Sequence, residues 1–139
     1  ESNSRGGYFP VWGTCLGMEF MLTLVGGETM VQGGFNAENI SLPLIFPTKK
    51  DVVKSNGVFS IKSLLYPQIS QRQVLSSSNI TMNNHHKGVT PNDFISEKKV
   101  TSLFKITSTS IDRDGLPFVS TIESFQMPLY GTQYHPEKH

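Results

Sequence analysis

The 139 residues carry 12 basic and 11 acidic side chains, a formal net charge of +1, and a single cysteine, Cys15. The length suits one domain of the ~100–150 residues common for single folds, and the charge balance leaves no clustered basic footprint for nucleic acid or an anionic membrane. The longest apolar run, around Phe20 to Val25, is far short of the ~20 residues a membrane helix needs, and a lone cysteine excludes an intrachain disulfide framework.

In chain order, Tyr8-Phe9-Pro10-Val11-Trp12 reads as a buried strand bounded by glycines. After Gly13-Thr14-Cys15-Leu16-Gly17, the segment from Met18 to Val25 reads as a helix stopped by Gly26-Gly27. Ser41 to Phe46 looks like a strand, closed by Pro47 and a charged turn at Lys49-Lys50-Asp51. Gln68 to Leu75 suggests a short helix with Pro67 at its start. Ile80-Thr81-Met82 is expected as a brief strand running into a polar loop from Asn83 to Asp93. The last third reads as strands at Leu103 to Ser110, Phe118 to Ile122 and Leu129 to Tyr134, with a turn at Asp112-Arg113-Asp114-Gly115. A strand, a helix and then a run of strands suggest an α/β sheet with antiparallel additions. The chain opens at Glu1 without an initiator Met or a signal-peptide pattern, and it stops at His139 just after a strand-like segment. Both ends read as cut.

Gly13-Thr14-Cys15-Leu16-Gly17 is a G-x-C-x-G pentapeptide between an expected strand and an expected helix. A nucleophile elbow needs that setting: a strained turn presents the side chain, and flanking glycines let backbone pass without a Cβ clash. The helix start would aim its N–H groups and positive dipole at the sulfur and lower the thiol pKa. The N–H of Leu16 is placed to donate to an oxyanion. The competing assignment is a structural cysteine on a glycine-rich turn.

A cysteine nucleophile needs an imidazole partner, and the imidazole needs a third group to orient it. Gln133-Tyr134-His135-Pro136-Glu137-Lys138 offers both. In extended chain the side chains at i and i+2 leave on one face, so Glu137 can reach one ring nitrogen of His135 while the other faces the thiol.

Tyr8 through Gly17, taken with Tyr130-Gly131-Thr132-Gln133-Tyr134-His135-Pro136-Glu137-Lys138, resembles the γ-glutamyl hydrolase family of the class I glutamine amidotransferase-like superfamily. The resemblance spans nearly the whole chain. It implies a flavodoxin-like mixed sheet with flanking helices, of which these residues would form the C-terminal portion, the N-terminal strands being absent. It also implies Cys15 as nucleophile, His135 as general base and acid, and Glu137 as orienting carboxylate. Glu19 stands where glutaminase domains typically have a substrate-holding Gln, and the hydrolases resemble this chain in having Glu there. Leu16, Glu19 and a histidine of Asn83-Asn84-His85-His86-Lys87-Gly88 would line the substrate site. In register with Phe94 that histidine is His85; a shift of one residue would choose His86.

The substrates so implied are folyl- and antifolyl-poly-γ-glutamates, small molecules rich in carboxylates, for which Lys87 and Lys138 are candidate cationic contacts. Neither a cofactor nor a metal is implied, and no nucleic-acid or membrane partner; a homodimer is possible within the family. A second oxyanion donor is expected from a segment upstream of the elbow strand, since Gly6-Gly7 are poorly placed for it. Asn39-Ile40-Ser41 and Asn79-Ile80-Thr81 are glycosylation sequons, which fit a lysosomal, vacuolar or secreted protein. The alternatives are a glutaminase-type γ-glutamyl amidase, and an inactive fragment or non-catalytic relative that kept the fold.

Overall fold

The computed structural model describes residues 5–64 and 66–138; the extreme ends that read as cut lie outside the described residues. Strand β1 (Val11–Thr14) leads through Cys15 into helix α1 (Leu16–Gly26), and β2 (Gln32–Leu42) follows. Two short helices, α2 (Lys49–Lys54) and α3 (Ile69–Ser77), precede β3 (Thr81–Gly88). Then come α4 (Pro91–Ser96), α5 (Lys98–Leu103), β4 (Phe104–Ile111), β5 (Pro117–Ser124) and β6 (Leu129–Thr132).

The strands form a four-stranded mixed sheet in the order β1-β6-β5-β4 and a separate antiparallel pair, β2-β3. β1 and β6 run parallel, in register from Val11↔Leu129 to Thr14↔Thr132, while β5 is antiparallel to both β6 and β4. The parallel pair brings residues 15 and 133 to the same end of the sheet, although they lie far apart in sequence. That placement builds the site. α1 turns Met18 and Leu22, one helical turn apart, into a core with Phe94, Val100, Phe104, Ile106, Val119 and Ile122. A second cluster of Phe35, Ala37, Leu42 and Phe118 lies under the β2–β3 pair. The β4–β5 turn forms as expected: Asp112 accepts from the N–H groups of Asp114 and Leu116, and Gly115 takes φ 84°.

Several elements depart from the expectations, each for a local reason. The first strand starts at Val11 rather than Tyr8, and it is an edge strand rather than a buried one: Tyr8, Phe9 and Trp12 are exposed. Beyond Leu42 the expected strand stops, because Pro43 brings no N–H to a ladder, and Ile45 makes only an isolated bridge to Thr109. Lys49-Lys50-Asp51 opens a helix instead of a turn. Thr48 and Asp51 exchange side-chain and backbone hydrogen bonds as a capping box. Gln68 rather than Pro67 borders α3, so the proline sits one place before the cap. The polar stretch from Asn83 to Gly88 is strand, and Thr90-Pro91 caps and starts a helix where a loop was expected. β6 ends at Thr132, two residues early.

Among the described residues no helix is long and apolar enough to cross a membrane.

Candidate active site

Cys15 occupies the N-cap of α1 with φ 51° and ψ −108°, a conformation that strains a residue bearing a Cβ by about 1–3 kcal/mol. The tightness of the turn explains Gly13: a Cβ there would lie 2.6 Å from the carbonyl carbon of Gly17. At Gly17 a Cβ would meet nothing within 4 Å, so only the first of the two glycines is sterically required. The turn is fastened to the neighbouring strand, because the Cys15 N–H donates to Thr132 O at 2.7 Å.

From that same strand end the chain continues to His135. Its N–H donates to Met82 O of β3 at 2.8 Å, so the β2–β3 pair helps to hold the histidine backbone. The ring Nδ1 lies 2.8 Å from Glu137 Oε1. With Nδ1–H donated to that carboxylate, Nε2 keeps its lone pair, the tautomer a general base needs. The pairing arises from a turn, with Lys138 N–H donating to His135 O, and not from the extended chain expected. Pro136 limits the backbone there. Among the described residues, the ring bonds Glu137 and not the sulfur. Such contacts often tighten only when substrate is bound.

The thiol departs from expectation. Burial pushes its pKa up, the negative charge of Glu19 adds to this, and Glu137 contributes a little more. The Leu16 N–H and the Gln133 amide pull it down without prevailing. The helix start therefore does not lower the thiol pKa on balance, contrary to the expectation. Glu137 moves the other way: its own N–H and the His135 ring hold its carboxyl below the ordinary range.

Glu19 is buried in the first turn of α1, and Leu16 is exposed beside it. Both line a cleft of about 290 Å³ together with Phe20, Thr23, Glu28 and Lys87. Lys87 thus reaches the elbow side of the molecule, where the acidic Glu28 also lines the cleft. Of the two adjacent histidines, His85 turns inward and His86 outward to pair with Glu38 at 2.9 Å. His85 is packed edge-on against Phe118, centroids 4.8 Å apart, with Nδ1 2.7 Å from Lys87 O. Burial holds its pKa down, Lys87 O opposes this, and His135 adds to the lowering.

The sequon asparagines are exposed, Asn39 in a left-handed kink of β2 at φ 47° and Asn79 before β3, whereas Thr81 of the second sequon is buried. Gly6 and Gly7 are exposed ahead of β1. Among the described residues no three His, Cys, Asp or Glu side chains gather as a metal site. One buried residue escaped the sequence: Gln133, whose Nε2 donates to Glu19 Oε1 at 2.8 Å and lies 3.8 Å from the sulfur. Thr132 and Gln133 are both buried, so no alternation distinguishes them.

Residues 2–139 match the family described as glutamine amidotransferase class-I. The chain is 39% identical over 138 residues to gamma-glutamyl hydrolase B of Dictyostelium discoideum, covering 99% of this chain and 38% of that protein. It is 34% identical over 140 residues to gamma-glutamyl hydrolase of Bos taurus, covering 99% of this chain and 40% of that one. It therefore spans about two fifths of the length of these curated relatives. In fold it resembles a putative GMP synthase subunit from Thermoplasma acidophilum, with a TM-score of 0.53 at 16% identity over 98% of this chain and 52% of that one. With its mixed sheet, its elbow and its His-Pro-Glu turn, the chain belongs to the class I glutamine amidotransferase family.

Proposed function

We propose that these residues carry the catalytic machinery of a γ-glutamyl hydrolase acting on folyl- and antifolyl-poly-γ-glutamates. The observation that carries this is the convergence at one end of the β1–β6 pair: a strained cysteine elbow beside a histidine whose Nδ1 is tied to a carboxylate. The curated relatives bear the same activity in their names.

In this scheme His135 Nε2 takes the Cys15 proton as sulfur attacks the γ-carbonyl carbon, and the carbonyl electron pair moves to oxygen. The oxyanion is met by the Leu16 N–H, one of the helix-start donors without an intrahelical acceptor. Collapse expels the amine, which takes its proton from His135, and leaves a thioester. Water, deprotonated by the same ring, then releases the γ-carboxylate and the thiol. Glu137 favours the imidazolium formed at each stage. The raised thiol pKa suits proton transfer concerted with attack. Glu19 and Lys87 line the cleft that would receive substrate.

The second candidate is a glutaminase-type amidase of the same family; a buried Glu19, rather than Gln, beside the sulfur favours the hydrolase. The full-length protein is expected to shorten a polyglutamylated folate and to leave free glutamine intact. Release of ammonia from glutamine without cleavage of the tail would choose the amidase. The exposed asparagines support glycosylation at Asn39 and Asn79 in a lysosomal, vacuolar or secreted protein, to be checked by a mass shift on enzymatic deglycosylation.

A further inference from the structure

Gln133 lies outside the Cys–His–Glu set, yet it is wholly buried against it. Its backbone is clamped, since Gln133 N–H donates to Ser120 O at 2.8 Å and the preceding carbonyl of Thr132 accepts from Cys15 N–H. Its side-chain NH₂ reaches Glu19 Oε1 at 2.8 Å and Cys15 Sγ at 3.8 Å. The other end of the amide, Oε1, is buried with no partner among the described residues. A residue selected only to fill space would be Leu or Met, which leave no orphaned acceptor. Glu19 supplies the reason for an amide. Its carboxylate is buried and, among the described residues, no Lys, Arg or His pairs with it. An apolar side chain at 133 would leave that acceptor without its donor.

We propose that Gln133 is a positioning residue of the nucleophile: one NH₂ group bridges the Glu19 carboxylate and the Cys15 sulfur, fixing both in the first turn of α1. This rests on the assignment of Cys15 as nucleophile. The two N–H bonds of the amide diverge, so each acceptor can have its own. The carboxylate is held in the wall of the cleft, and the sulfur keeps a donor while its charge develops.

The test uses the full-length protein with Gln133→Met, similar in length and without donors, and with Gln133→Glu, similar in shape but placing a second acid beside Glu19. Cys15 alkylation by iodoacetamide is followed against pH, alongside kcat and KM for a poly-γ-glutamyl substrate. Both variants should move the alkylation profile to higher pH, because the sulfur loses its donor. Turnover should fall in kcat by about 10-fold or more while KM stays within about 2-fold, the pattern of an interaction strongest in the transition state. In a Glu19→Gln background, Gln133→Met should cost less than in the wild type, since coupled partners are not additive. An unmoved alkylation profile in a folded variant, or losses that simply add, would overturn the bridge. If the wild type does not cleave the substrate but the alkylation shift appears, the assigned activity fails and the bridge stands. Turnover by the wild type with no alkylation shift in the variants keeps the activity and overturns the bridge.

Discussion

In the four-stranded sheet, β1 and β6 keep one register along their shared length, and Met18 of α1 sits where a Cβ on Gly131 would come within 2.8 Å. In the β2–β3 pair the register slips twice, between Gly33 and Ala37 and again between Ala37 and Ile40. Its interior holds Asn83 and His85 beside Phe35 and Phe118. The first region is close-packed and sets where Cys15 and the His135 backbone begin. The second is irregular and polar, and it meets the site through Met82 O and His85. A close-packed sheet thus places Cys15 and His135, and an irregular pair touches the His135 backbone through Met82 O.

Glycine substitutions probe the contrast most strongly. At Gly13 a new Cβ would press on the Gly17 backbone, which cannot move aside as a flexible side chain can. Gly13→Ala is expected to lose about 1–3 kcal/mol, the usual range for overpacking, read as a lower denaturant midpoint. At Gly33 in β2 a Cβ meets nothing within 4 Å, and Gly33→Ala should change stability by no more than about 0.5 kcal/mol. Equal losses would dissolve the distinction between the two regions.

Acid should separate the regions by a smaller margin. The folded pKa of His85 is depressed below its ordinary 6.5 by burial, against the pull of Lys87 O; His135 and His86 deepen the shift and Asp112 opposes it. A His that is harder to protonate when folded contributes stability fully present above pH 6.5 and lost as pH falls toward the folded value. Amide exchange in β3 should therefore accelerate in mild acid before exchange in β5 and β6 does. His85→Gln should remove that difference. Uniform acceleration in every strand would show that His85 does not govern the pair.

The smallest effect is expected outside. His86 and Glu38 form an ion pair with both side chains more than half exposed, and such pairs contribute about 0–1 kcal/mol. His86→Ala should leave turnover and melting temperature nearly unchanged. A marked loss of turnover would place the functional histidine one residue later than His85.

The fold class was legible in the sequence, and the candidate site residues could be named from it, but several individual elements could not. A glycine before a cysteine, a helix-forming run after it and a His-Pro-Glu turn are short-range signals, because a strained elbow and a local His–carboxylate pair need particular residues nearby. β2 was not expected from the sequence, because it is a bulged strand with shifts of register and positive φ at Gly34 and Asn39 rather than a run of regular alternation. The starts of α2 and α4 were written in Thr48-x-x-Asp51 and Thr90-Pro91-x-Asp93, caps that read as a turn and as a loop. Gln133 stood in the His-Pro-Glu segment, but nothing local marked what it touches. Its role comes from pairing between residues more than a hundred positions apart, which no window along the chain can see.

The most direct measurement of the central claim is hydrolysis of a polyglutamylated folate by the full-length protein carrying Cys15→Ala. If the elbow holds the nucleophile, turnover should fall by about 10⁴-fold or more, with substrate still bound and the melting temperature little changed. Hydrolysis at the wild-type rate would contradict the account.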